Sequence, residues 1–163
     1  MTLQQFVAKY PPAGPRRLAG NADETRQLGP ADGMLLLTAP PALGPQGPPD
    51  SPESRHLWVF RAPNPTDLPY LLEGAPDVRP ALASGVAKHT NLTGGGSASC
   101  GGELWIGVAS PNQVYVNGSS GRYGPTSRRQ LDDAIEVFRN SGFNVVSYGW
   151  DEDTQKPHSL YYR

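Results

Sequence analysis

Cysteine is nearly absent. Cys100 stands alone in 163 residues, which excludes an internal disulfide framework and a multi-cysteine zinc site and leaves the redox compartment open. Excess charge of one sign is also missing. The formal charge is −1 at pH 7, so no global positive field gathers nucleic acid or an anionic membrane, and any polyanion site has to be local. No apolar run approaches the roughly 18 residues of a spanning helix, and Met1 to Tyr10 lacks the basic start and apolar stretch of a secretory signal. The expectation is a protein that does not enter membranes, cytoplasmic or exported by a dedicated apparatus that needs no such signal.

Proline is scarce in only one half of the chain: fifteen of the 18 fall at or before Pro80. The length suits a single domain, 1–163, with a core that needs no staples. Residues 40–52, rich in proline and glycine, have no apolar period and belong to a surface loop. Thr2 to Tyr10 reads as a short helix and Met34 to Thr38 as a buried strand. Leu57 to Arg61 and Tyr70 to Glu73 read as a hairpin around the turn formers Pro63 to Asp67. Val86 to Asn91, Glu103 to Val108, Gln113 to Asn117 and Asn144 to Trp150 are further expected strands, with a short terminal one at Leu160 to Tyr162. One helix is well signalled. Ser127 and Gln130 have capping-box spacing, Leu131, Ala134, Ile135 and Phe138 form one apolar stripe, and Gly142 is the stop. The expected class is α+β: a mainly antiparallel sheet with one long C-terminal helix packed on it and a Pro-rich, irregular N-terminal part.

The residues able to carry chemistry concentrate at 86–143. Five glycines within residues 94–102 free the backbone for close approach to a ligand, as phosphate-gripping loops require, although the Gly-Lys-Ser/Thr ending of a Walker loop is missing. The plain alternative is a flexible connection. His89 stands just before that loop, with Thr90 and Asn91 beside it and Gly95 and Ser99 within it, all candidate ligand contacts. Glu103 follows the loop and pairs with His89 as a possible acid and base, or else faces solvent. The segment Ser120-Gly121-Arg122-Tyr123 leaves a strand for the capped helix. There Arg122 offers a planar fork for a phosphate or carboxylate and Tyr123 a ring for stacking, against the alternative of a tight turn anchored by Tyr123. Glu152, in an acidic turn, is a further carboxylate. No metal motif is present, and Cys100 has no basic neighbour in sequence to activate it.

At His89-Thr90-Asn91, Gly101-Gly102-Glu103 and Ser120-Gly121-Arg122-Tyr123-Gly124-Pro125, the chain resembles a domain of bacterial polymorphic toxins and of plant calmodulin-binding proteins of the IQ-motif type. That family carries His-Ser-Ser, Ala-Gly-Glu and Ser-Gly-His-Tyr-x-Pro in this order, so Arg122 replaces its second histidine and Thr90-Asn91 its two serines. The likeness covers Val86 to Phe143, and no IQ helix is visible. His89-Thr90 and Gly121-Arg122-Tyr123 are more loosely similar to ADP-ribosyltransferases of the His-Tyr-Glu type. That likeness implies NAD as cofactor, with His89 on a ribose hydroxyl, Tyr123 on nicotinamide and Glu103 or Glu152 as the carboxylate. Three readings stay open. The first is a toxin-like NAD-dependent ADP-ribosyltransferase or NAD glycohydrolase. The second is a non-catalytic module binding a nucleotide-like small molecule or a protein acceptor. The third is a metal-independent ribonuclease, which the near-neutral charge disfavours.

Overall fold

A computed structural model of the chain describes residues 1–32, 34–37, 46–61, 71–74, 82, 85–108, 110 and 112–161. The elements in chain order are α1 (Leu3–Lys9), β1 (Met34–Leu37), β2 (His56–Arg61), β3 (Leu71–Gly74), α2 (His89–Thr93), β4 (Ala98–Ile106), β5 (Gln113–Val116), α3 (Arg128–Asn140), β6 (Asn144–Ser147), β7 (Trp150–Asp151) and β8 (Lys156–Pro157). Short 3-10 turns at Ala22–Thr25 and Pro30–Asp32 precede β1.

The main sheet runs in the order β1-β3-β2-β4-β5-β6. The first four pairings are antiparallel and the β5–β6 pairing is parallel. Parallel neighbours need a crossover of about a dozen residues or more, and α3 supplies it. This corrects the sequence expectation of a mainly antiparallel sheet under one long C-terminal helix. The sheet is mixed, the longest helix among the described residues has 13 residues, and β6, β7 and β8 follow it. Strands on both sides of α3 are expected from the sequence, but local pattern does not show that Gln113 to Val116 and Asn144 to Ser147 pair in parallel and make α3 the middle of a strand–helix–strand unit.

The two faces of the sheet bury different clusters. On one, Trp58 and Phe60 of β2 meet Phe6 of α1 and Phe138 of α3, with Phe6–Phe60 and Trp58–Phe138 ring centroids 5.0 and 5.1 Å apart. The stripe Leu131, Ala134, Ile135 and Phe138 is buried there, and Ser127 Oγ caps α3 by accepting from Gln130 N–H. On the other face, Leu28, Val59, Leu72, Leu92 and Tyr123 form a second cluster beneath α2.

The segment read as a strand at Val86 to Asn91 differs: a helical turn, α2, starts at His89. Asn91 Oδ1 accepts from Lys88 N–H, Asn91 Nδ2 ties to the Asp23 and Arg26 carbonyls, and Gly94 ends the turn at φ 63°. These tertiary bonds outweigh the strand preference of the branched residues. Gly101 and Gly102 lie inside β4 rather than in a loop, because a Cβ at Gly102 would run into the Asn117 carbonyl oxygen. The terminal strand expected at Leu160 is not formed, and Tyr162 lies outside the described residues. So does residue 70, and so do 62–69, which hold the turn expected between β2 and β3. Residues 40–45 of the Pro-rich loop also lie outside. Beyond them Gly47 N–H bonds the Ile106 carbonyl, and Asp50 accepts from the Tyr148 hydroxyl. No helix among the described residues is long and apolar enough to cross a membrane.

Candidate functional site

A cleft of about 210 Å³ opens on the α2 face of the sheet. Its walls are the start of α2, the β2 entrance at Arg55 and Leu57, Glu103 of β4, and the segment Ser119 to Arg122 that leaves β5. His89, Glu103, Ser120, Gly121 and Arg122, named from sequence, all line it.

The His89 ring faces the cleft while its Nε2 lies 2.8 Å from the Gly102 carbonyl oxygen. A carbonyl only accepts, so Nε2 carries the hydrogen and Nδ1 keeps a lone pair with no partner among the described residues. Burial holds the imidazole down at about 4, with the Arg122 and Arg55 cations pushing the same way and the Gly102 carbonyl opposing them. At neutral pH the ring is an uncharged hydrogen-bond acceptor, too weak a base for efficient proton abstraction.

Glu103 is held on the next residue of β4. Its Oε1 accepts from Asn117 Nδ2 at 3.0 Å and its Oε2 stands 3.5 Å from Arg55 Nη1. Burial raises this carboxyl above its ordinary range, although the Asn117 bond and Arg55 pull it back. Asn117, fully buried, also accepts from the Glu103 and Ser119 N–H groups, both at 2.9 Å, and so fixes Glu103 and the 119–122 segment to each other.

Arg122 is buried, with a side chain 6% exposed. Nη1 donates to Thr90 Oγ1 at 2.8 Å, Nη2 pairs with Glu24 Oε2 at 3.0 Å, and Nε has no partner among the described residues. Arg17, Arg55 and Lys88 surround the same cleft and are solvent-exposed. Four cations and the Glu103 carboxylate line the cleft, and Glu24 stands beside it on Arg122, so the local balance is still positive in a chain of near-zero net charge. The sequence reading assigned no role to Arg17, Arg55 and Glu24, nor to Lys88 and Asn117 inside the stretch 86–143 it singled out. The cations carry no local motif, and only the packing of three distant segments brings them together.

Other residues named from sequence sit elsewhere. Tyr123 is 3% exposed in the second core cluster, its hydroxyl donating to the Gly96 carbonyl at 2.7 Å and lying 2.9 Å from Thr93 Oγ1, and it does not line the cleft. Burial raises its phenol above the ordinary value. The imidazole and the phenol therefore do not share a pocket. Glu152 is on the surface, 2.8 Å from Arg128 Nη1. Thr90 acts through Arg122, whereas Asn91 staples α2 to the N-terminal segment. Gly95 packs against Thr25 with φ 80°, and Ser99 is buried with its carbonyl bonded to Gln130 Nε2. Cys100 is buried, its thiol pushed up to about 12 by desolvation, and so is no nucleophile. Among the described residues no group of three His, Cys, Asp or Glu side chains is placed to hold a metal ion.

A scan against models of protein families, a search of curated proteins and a search of solved structures each return no match. The functional reading rests on the cleft itself.

Proposed function

We propose that the cleft binds a small phosphate-bearing ligand of the nucleotide type. The observation that carries this reading is Arg122: a buried guanidinium whose Nε has no partner among the described residues, in a cleft ringed by three further cations. Charge-assisted bonds from arginine to phosphate are among the strongest hydrogen bonds available to a binding site. The neutral His89 Nδ1 supplies an acceptor for a ribose hydroxyl, and the Ser119 to Gly121 segment supplies polar surroundings. Typical ligand pockets run from about 300 to 1,000 Å³, so 210 Å³ suits one phosphate with its sugar better than a whole dinucleotide.

The NAD-cleaving reading draws less support from this geometry, since Tyr123 is inside the core and Glu152 pairs with Arg128. A second reading, metal-independent cleavage of a phosphodiester, has one observation in its favour. The Glu103 carboxyl is raised in the same cleft, as groups that exchange protons with a substrate commonly are. RNA cut in EDTA by the native protein and left whole by Glu103→Gln would select it.

Calorimetric titration with adenosine monophosphate, ribose 5-phosphate, inorganic phosphate and NAD tests the main reading. Saturable binding of the monophosphates is expected, weakened at least about tenfold by Arg122→Gln. Binding that is absent, or indifferent to that substitution, would overturn it.

A further inference from the structure

Arg122, which lines the cleft, already holds a carboxylate, that of Glu24. The side edge of an arginine presents two parallel N–H groups, on Nε and Nη2, spaced for two oxygens of one phosphate or carboxylate. In Arg122 the two nitrogens of that edge are unequally used. Glu24 Oε2 takes Nη2 at 3.0 Å and also accepts from Gly20 N–H, so both contacts land on one oxygen, while the buried Nε goes without a partner among the described residues. The third nitrogen, Nη1, is committed to Thr90.

We propose that Glu24 is an internal stand-in for the ligand, and that a phosphate-bearing ligand seats on the Nε and Nη2 edge of Arg122 by displacing the Glu24 carboxylate. This rests on the reading of the cleft as an anion site and adds how that site is held closed. Such a ligand offers two oxygens to the edge and removes the unsatisfied buried donor, which Glu24 does not.

The exchange needs only a side-chain movement. The backbone carrying Glu24 is anchored independently of its carboxylate: Asn91 Nδ2 donates to the Asp23 and Arg26 carbonyls at 2.8 and 3.0 Å, Gln27 Nε2 donates to Leu92 O at 3.0 Å, and Leu28 N–H bonds the Asn91 carbonyl at 2.9 Å. The Glu24 side chain is 19% exposed and so has a route to solvent. Any ligand competes with a carboxylate tethered beside the site, so apparent affinity in the native protein is lower than the cleft intrinsically allows.

The test compares the native protein with Glu24→Gln by calorimetry, using adenosine monophosphate, ribose 5-phosphate and inorganic phosphate. Glu24→Gln keeps the side-chain length and the Gly20 contact, and is expected to tighten monophosphate binding by about tenfold, toward the low end of ordinary coupling between two sites. Affinity that is unchanged or weaker, in a native protein whose binding depends on Arg122, overturns the displacement and leaves the cleft reading intact. No binding by either protein defeats both. A second readout needs no variant. Hydrogen exchange at the Gly20 amide should speed up several-fold when adenosine monophosphate saturates the native protein, because the carboxylate it bonds has left. Exchange that slows or stays constant on saturation contradicts the displacement.

Discussion

Burial keeps the His89 imidazole neutral where an exposed histidine would titrate, and this has a measurable sign. Its folded value near 4 lies below the ordinary 6.5, so as pH falls the unfolded chain takes up the proton first. The stabilisation is complete above about pH 6.5 and is lost progressively down to about pH 4, by roughly 2–3 kcal/mol. Glu103 has the opposite sign, because its raised carboxyl favours the folded state as it protonates. Comparing denaturant unfolding of the native protein with His89→Gln across that window isolates the histidine, since glutamine keeps a donor for the Gly102 carbonyl. The variant should lose less stability on acidification than the native protein. Equal loss would mean the ring is not held neutral. Arg122→Gln takes away the cation facing Glu24, which keeps its bond to the Gly20 N–H, and should lower stability by the same measurement.

At the scale of elements, what could be read from the sequence was what depends on near neighbours. The α3 stripe from Leu131 to Phe138, its Ser127 cap, the helix at Leu3–Lys9 and the strands at His56–Arg61, Leu71–Gly74 and Gln113–Val116 follow from local period and turn chemistry. What escaped depends on distant partners. The α2 turn is fixed by Asn91 bonds to residues 23 and 26. Gly102 looks like loop glycine until Asn117 is seen packed over it in the sheet. Tyr123 looks like a stacking ring at a loop, yet its hydroxyl is satisfied inside by Gly96 and Thr93. His89, Glu103, Ser120, Gly121 and Arg122, singled out beside glycine-rich stretches, come together along the cleft, but nothing local announced that the distant Arg17 and Arg55 cations would join Lys88 around them. Two substitutions test these elements by thermal unfolding. Ser127→Ala should cost about 1 kcal/mol through the lost cap. Gly102→Ala should cost about 3 kcal/mol or more, because its new Cβ meets backbone that has no room to move.

For the molecule as a whole, the mixed sheet separates two tasks. The face covered by α1 and α3 holds the larger apolar cluster and the aromatic contacts around Trp58 and Phe60. The opposite face carries α2 and the cleft, where charge gathers locally although the whole chain is almost neutral. Three of the four cleft cations are solvent-exposed, so ligand affinity should fall several-fold from about 50 to about 300 mM salt as screening shortens their reach. A salt-independent affinity would place binding elsewhere. The most direct check of the central claim follows the Arg122 Nε–Hε resonance by nuclear magnetic resonance while adenosine monophosphate is added. The account predicts a shift that grows and saturates with the binding curve, as the unpartnered donor gains an oxygen. A resonance that stays fixed while the ligand binds would contradict it.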